Sequence, residues 1–267
     1  MLIREFLCVL EHGLMLFHVN HTSYERSDHS DQFLRTNLIS ALYIFVSQVE
    51  GDTIDALRMG KMTLLFRKQS ELIFILTLDS SIDPSWCQAD FQTLINDFFQ
   101  TFPEVQWQNV SLLDLRMFEP FKILVLQHLQ KLNQRLKLLK LLLDERLITK
   151  DEYPFHSLDC LGTIVAGRLL QKHHFQVFET LSQNLPLLPL VDKFLDWLGK
   201  DVMRIDDTYI LDCTNCGLCN TGVECFFEAF LESILSYLGL ETRVSVPHMA
   251  FYKNVQISSN QNPRIAD

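Results

Sequence analysis

No stretch of this chain runs for the roughly 20 uninterrupted apolar residues that a bilayer-spanning helix needs, so no segment is expected to cross a membrane. The amino-terminal run MLIREFLCVLEHGLMLF is broken by Arg4, Glu5, Glu11 and His12, which makes it neither a signal peptide nor a spanning helix. Basic residues are in deficit: 23 Lys and Arg stand against 33 Asp and Glu, a net charge of −10. That balance argues against a nucleic-acid groove and leaves membrane contact at most peripheral. Catalytic signatures are missing too. There is no G-x4-GK-[ST] phosphate loop, no G-x-G-x2-G, no G-x-S-x-G and no H-E-x2-H. No nucleophile–base pair can be named, and the expectation is a protein that is not an enzyme. Internal repeats, low-complexity tracts and heptad arrays are also lacking.

What is present suffices for packed cores. The 267 residues are 48% apolar and 11% aromatic, enough for one large or two modest domains. Seven cysteines are an odd number, and four of them crowd into one short stretch. Without an export signal this favours a reducing interior, with metal ligands or free thiols rather than disulfides, and a cytoplasmic location.

That stretch, DCTNCGLCNTGVECFFEAFLESILSYLGL, is the chemical centre of the sequence. Cys213, Cys216, Cys219 and Cys225 follow the spacing C-x2-C-x2-C-x5-C, and Asn215, Gly217, Asn220 and Gly222 supply a turn on which several thiols can converge. Four thiolates suit a closed tetrahedral zinc site, with Glu224 as a substitute ligand. The triplet also resembles the start of an iron–sulfur loop, but no proline follows Cys225 and no second triplet exists. Zinc is weighed above iron–sulfur, and plain thiols without metal stand beside zinc as an equal reading. Other titratable residues have simpler explanations. His173 and His174 leave a helix about 100° apart, His18 and His21 lie at a strand end, and Asp28, Asp31, Glu50 and Asp52 flank a helix.

Hydrophobic periodicity orders the elements. Residues 2–10 and 14–20 predict a hairpin, and Phe33, Leu34, Leu38, Leu42, Phe45 and Val49 form one stripe of a helix. Three strands follow at 53–59, 61–68 and 72–78, then a helix from Asp83-Pro84 carrying Phe91, Leu94, Ile95, Phe98 and Phe99. A further helix begins at Leu112 or Pro120, and the stripe Leu124, Leu129, Leu132, Leu136, Leu139 and Leu143 prolongs it. That stripe is expected to be packed. Thr149 and Glu152 have capping-box spacing and predict a new short helix. Beyond it come helices at 158–178 and 190–198, strands at 201–205 and 208–212, the helix from Cys225 to Gly239, and strands at 242–246 and 250–257.

The order β-β-α-β-β-β-α-α, carried by REFLCVLEHGLMLF, ISALYIFVSQVEGDTIDALRMGKMTLLFRK and ELIFILTLDSSID, resembles the longin domain, a profilin-like fold. The resemblance implies an N-terminal five-stranded antiparallel sheet between one helix and two, within a chain of mixed α/β (α+β) class. In the second half AGRLLQK, VDKFLDWLGKDVMRIDDTYILDCTNC and VECFFEAFLESILSYLGLETRVSV resemble the four-vinyl-reductase domain, whose fold is shared with Bet-type TRAPP subunits. Cys213, Cys216 and Cys225 fall on cysteine-rich positions of that pattern. Cys219 is an extra, and the family's later cysteines are missing from VPHMAFYKNVQI. The implied division is a longin-like domain at 1–135, a helical connector at 136–155, a four-vinyl-reductase/TRAPP-like domain at 156–257 and a tail at 258–267.

Together the two resemblances imply a non-catalytic scaffold of trafficking type, similar to proteins of archaea related to eukaryotes. Its expected partners are a small GTPase or related longin or TRAPP-like subunits, with homo-oligomerisation a further option. The alternative is a sensor that encloses a small apolar ligand or a redox-active iron–sulfur cluster. Binding is expected through the sheet edge or the first helix, near Leu38, Leu42 and Phe45, unless that stripe is simply core.

Overall fold

The structure is a computed structural model that describes residues 2–20, 37–39, 41–46, 54–103, 112–153, 158–173, 188–198, 202–205, 208–212, 225–238, 241–245 and 252–258. The chain divides into two compact units, Met1–Leu136 and Lys137–Asp267, and the described strands of each form their own sheet.

The first unit opens with the hairpin β1 (Ile3–Leu10) and β2 (Met15–Asn20), followed by helical residues 37–39 and 41–46, here α1. Strands β3 (Ala56–Met59), β4 (Met62–Gln69) and β5 (Leu72–Asp79) complete an antiparallel sheet of order β2-β1-β5-β4-β3. Tight turns set the β3–β4 and β4–β5 registers, with Met59 opposite Met62 and Gln69 opposite Leu72. In these turns Gly60 has φ +56° and Ser70 φ +57°, the left-handed region that two-residue hairpins demand. After β5 a short 3-10 turn, Pro84–Cys87, leads into α2 (Gln88–Thr101). Asp83 accepts from the Ser85 amide there at 3.0 Å, an N-terminal cap ahead of the proline.

Both faces of the central strands are covered, so they read as unbroken apolar runs: every residue from Leu72 to Leu78 in β5 is buried. Leu7, Val9, Leu64, Phe66, Ile73 and Ile75 form one core with Ile39 and Tyr43 of α1. The alternate residues face α2 and the next helix. There the rings of Phe17 and Phe74 meet Phe98, and Phe6 meets Phe91 edge-on at 6.0 Å. Such edge and offset geometries match the quadrupoles of aromatic pairs. The result is a mixed α/β unit with a five-stranded antiparallel sheet and helices on both faces, consistent with a longin-like fold.

Helix α3 (Glu119–Asp144) follows a 3-10 segment, Leu112–Phe118, and is continuous where the sequence left two starting points. Asn133 is buried in it and accepts the Leu2 amide at 3.0 Å, tying the start of the first strand to the helix. Leu129, Leu132, Leu136 and Leu139 of its stripe are buried, and Leu124 and Leu143 are half-buried.

In the second unit the described elements are α4 (Leu158–Lys172), α5 (Leu188–Trp197), β6 (Val202–Ile205), β7 (Thr208–Asp212), α6 (Phe226–Tyr237), β8 (Glu241–Ser245) and β9 (Tyr252–Ser258). Their sheet is antiparallel with order β6-β7-β9-β8. Phe226, Phe227, Phe230, Leu231, Ile234 and Leu235 of α6 are buried, and Leu161, Val165 and Leu169 of α4 are buried alongside. The two helices approach closely at Gly162. A Cβ there would lie 2.3 Å from the Phe226 carbonyl oxygen and 3.0 Å from the Phe230 nitrogen.

Among the described residues after Thr149 the expected capping-box helix does not form. Glu152 does accept the Thr149 amide, at 2.6 Å, but residues 150–153 are turns. The Glu152 carboxylate is held instead by both guanidinium nitrogens of Arg168 on α4, at 2.8 and 2.6 Å, while Arg168 also donates to the Leu147 carbonyl. This planar, two-pronged pairing matches the guanidinium fork to the carboxylate.

Candidate protein-binding surface

Helix α1 is apolar nearly all round. Between Thr36 and Val49 the sequence contains no charged residue. In its described residues one face of α1 covers the sheet and a second apolar face is left over. The inward face is Ile39 and Tyr43, with the Tyr43 ring stacked on Phe66 at 5.4 Å. On the other side Leu38 is 56% exposed and Phe45 62% exposed; Ala41 is exposed between them and Leu42 half-buried. Spaced i, i+3, i+4 and i+7, these four line one outer stripe. The sequence stripe through Leu38, Leu42 and Phe45 is therefore largely the outer face, and the core face is the one a residue further round.

The sheet edge near this helix is short. β3 is four residues long, with Ala56, Arg58 and Met59 exposed. Its Leu57 packs against the core under α1, so Met59, two residues on, lies on the same sheet face. Arg58 reaches over to the Ser80 carbonyl at 2.9 Å, and Arg67 pairs with Asp55 at 2.5 Å. Charged side chains on a brief edge strand discourage open-ended strand pairing; among the described residues of the edge and α1, the α1 stripe offers apolar area without such protection.

Sequence reading missed one buried polar cluster. Glu5 on β1 is only 4% exposed. One carboxylate oxygen lies 3.0 Å from His18 Nε2 on β2, and the other accepts from the Thr77 hydroxyl on β5 at 3.1 Å. Strand alternation could have signalled it, since Glu5 occupies a core-facing position of β1. The cluster satisfies a carboxylate that would otherwise be costly to bury and ties three strands together.

Of the four cysteines expected to bind zinc, Cys213, Cys216 and Cys219 lie outside the described residues. Cys225 is buried, in extended conformation, at the N-terminal cap of α6, and its carbonyl accepts the Ala229 amide at 3.1 Å. Among the described residues no three His, Cys, Asp or Glu side chains are grouped to hold a metal ion. Cys8 and Cys87 are buried free thiols, and burial pushes the Cys87 thiol up to about 12 and that of Cys8 well above its usual value. Neither is a nucleophile at neutral pH. Among the described residues no helix is long and apolar enough to cross a membrane.

No protein-family model and no curated protein matches the chain. Among solved structures, a chain from a homology model of the full-length AP-3 complex in a stretched open conformation is similar, with 12% identity, over 69% of this chain and 99% of its own, at a TM-score of 0.29. Similarity at that level fixes neither fold nor function.

Proposed function

We propose that the protein is a non-catalytic interaction module of membrane-trafficking type, which docks a small GTPase or a related longin or TRAPP-like subunit on the outer stripe of α1. The observation that carries this reading is the pair Leu38 and Phe45, two large apolar side chains more than half exposed on a helix whose other face is already in the core. Leaving such a stripe in water forgoes about 25 cal/mol for each Å² that a partner would cover, and contiguous exposed apolar surface marks interaction sites. What supports the trafficking class is the resemblance of the element order to longin domains, with which the five-stranded antiparallel sheet and its helices on both faces are consistent. Capture of small GTPases, loaded with GDP or with a non-hydrolysable GTP analogue, tests the reading. A Leu38→Glu/Phe45→Glu double variant should lose the captured GTPase while keeping its melting temperature.

The four cysteines add a structural element to this proposal. Their spacing supports one zinc ion held by Cys213, Cys216, Cys219 and Cys225, anchoring the connection between β7 and α6. Elemental analysis of protein purified without oxygen, against a Cys213→Ser/Cys216→Ser variant, decides among zinc, iron with sulfide, and no metal.

A further inference from the structure

We propose that α1 also joins two copies of this chain, in an antiparallel two-fold helix crossing centred on Ala41. The proposal rests on the reading of the outer stripe as a docking surface and names a second copy as an occupant. Its shape is the first reason. Along the stripe the residues run large, small, large: Leu38, then Ala41 with Leu42 partly sunk beside it, then Phe45. Crossing two such helices in opposite directions at Ala41 places Phe45 of each copy against Leu38 of the other. A two-fold interface requires that self-matching, in which residue i meets j and j meets i. The alanine methyl at the centre lets the axes approach to the roughly 8 Å lower limit of helix packing.

Charge is the second reason. Each copy carries a net charge of −10, so two copies meeting at an arbitrary surface bring together an acidic excess. The described residues of α1, 37–39 and 41–46, carry no charge, so the helix-to-helix contact itself sets no like charges against each other.

Area sets the strength. Two more-than-half-exposed side chains, one exposed alanine and one half-buried leucine cover far less than the about 800 Å² per partner typical of a stable complex. The dimer is accordingly weak and reversible, forming at about 100 µM or above. It competes with any other partner for the same four residues.

Sedimentation equilibrium of the full chain, from about 10 µM to 1 mM, reads this directly. The average mass should climb toward twice that of the monomer. Phe45→Glu and Leu38→Glu should each weaken association by about tenfold or more, with Phe45→Ser as a milder substitute and melting curves to check folding. Ile123→Glu, at a 61% exposed apolar position of α3, should change nothing. The dissociation constant should not weaken by more than about twofold as salt is raised, since no ion pair is screened. Monomeric mass throughout, dimerisation that survives Phe45→Glu, or loss caused by Ile123→Glu overturns the proposal. A monomer whose GTPase capture still depends on Phe45 overturns self-association and leaves the docking surface standing; a Phe45-dependent dimer that captures GTPase without Phe45 does the reverse.

Discussion

Glu152 illustrates how one residue can satisfy a sequence rule and still build something else. Its distance from Thr149 is that of a capping box, and the hydrogen bond is made, but Arg168 sixteen residues on takes the carboxylate into a bidentate pair. No single-sequence pattern reveals that partner, because the pair exists only once α4 has folded back. The side-chain hydrogen bond from Arg168, with help from the Thr149 amide, holds the Glu152 carboxyl down at about 2. Its folded value lies below the unfolded one, so the stabilisation is fully present above about pH 4.5 and is lost as the pH falls through the folded value. Arg168 is 39% exposed, and solvent screening reduces the pair to about 1 kcal/mol. Glu152→Gln should lower stability by that amount at pH 7, and the gap to wild type should close between about pH 4.5 and 2 in denaturant titrations.

Cysteine reactivity is a second residue-scale consequence. Cys160 is exposed, whereas Cys8 and Cys87 are buried with raised thiol pKa values. Iodoacetamide at pH 8 should therefore modify Cys160 in the native protein and spare Cys8 and Cys87 until denaturant is added, as followed by peptide mass spectrometry. Equal labelling of all three would mean that the first sheet is not closed over its thiols.

Among the elements, helix ends and helix faces were unequally legible. Repeating apolar residues placed α2 and α6 to within a few residues, since each has one strongly preferred side; α4 starts at Leu158 as expected but stops at Lys172, short of the expected Phe178. α1 was harder: Leu38, Leu42 and Phe45 form as good a stripe as Ile39, Tyr43 and Val46, and only the sheet beneath decides which is buried. The stop of α3 carries no glycine either. Arg146 takes φ +58° there, Leu147 donates to Leu142 at 2.8 Å and Arg146 to Leu143 at 3.0 Å. This is a Schellman ending, with Leu142 and Leu147 buried as its apolar contact. Arg146→Gly should raise stability by about 0.5–1 kcal/mol by relieving the left-handed residue.

The two glycines of α4 make a paired test of the α4–α6 packing. An alanine methyl at Gly162 meets backbone of α6, whereas at Gly167 nothing lies within 4 Å. Gly162→Ala should cost about 2 kcal/mol or more, while Gly167→Ala should be neutral or stabilising by up to about 1 kcal/mol. Thermal melts of the two variants separate the cases, and similar behaviour of both would refute the close approach.

At the scale of the whole molecule, the first unit was open to sequence reading because two-sided burial writes itself as continuous apolar strands and tight turns fix their register. The four-cysteine stretch was open only as chemistry: spacing names a ligand set without locating the atoms, and just Cys225 falls among the described residues. Function is written least directly. What distinguishes a docking helix from a core helix is a surplus of apolar surface, and that surplus becomes visible only after the core has taken its share.

The central claim is that the surplus on α1 binds protein. Calorimetric titration of a captured GTPase into wild-type protein, Leu38→Glu, Phe45→Glu and Ile123→Glu tests it most directly. The account predicts at least about a tenfold weaker dissociation constant for each α1 variant, no change for Ile123→Glu, and a negative heat-capacity change for wild type as apolar surface is covered. Unchanged affinity in both α1 variants, with melting temperatures intact, would contradict it.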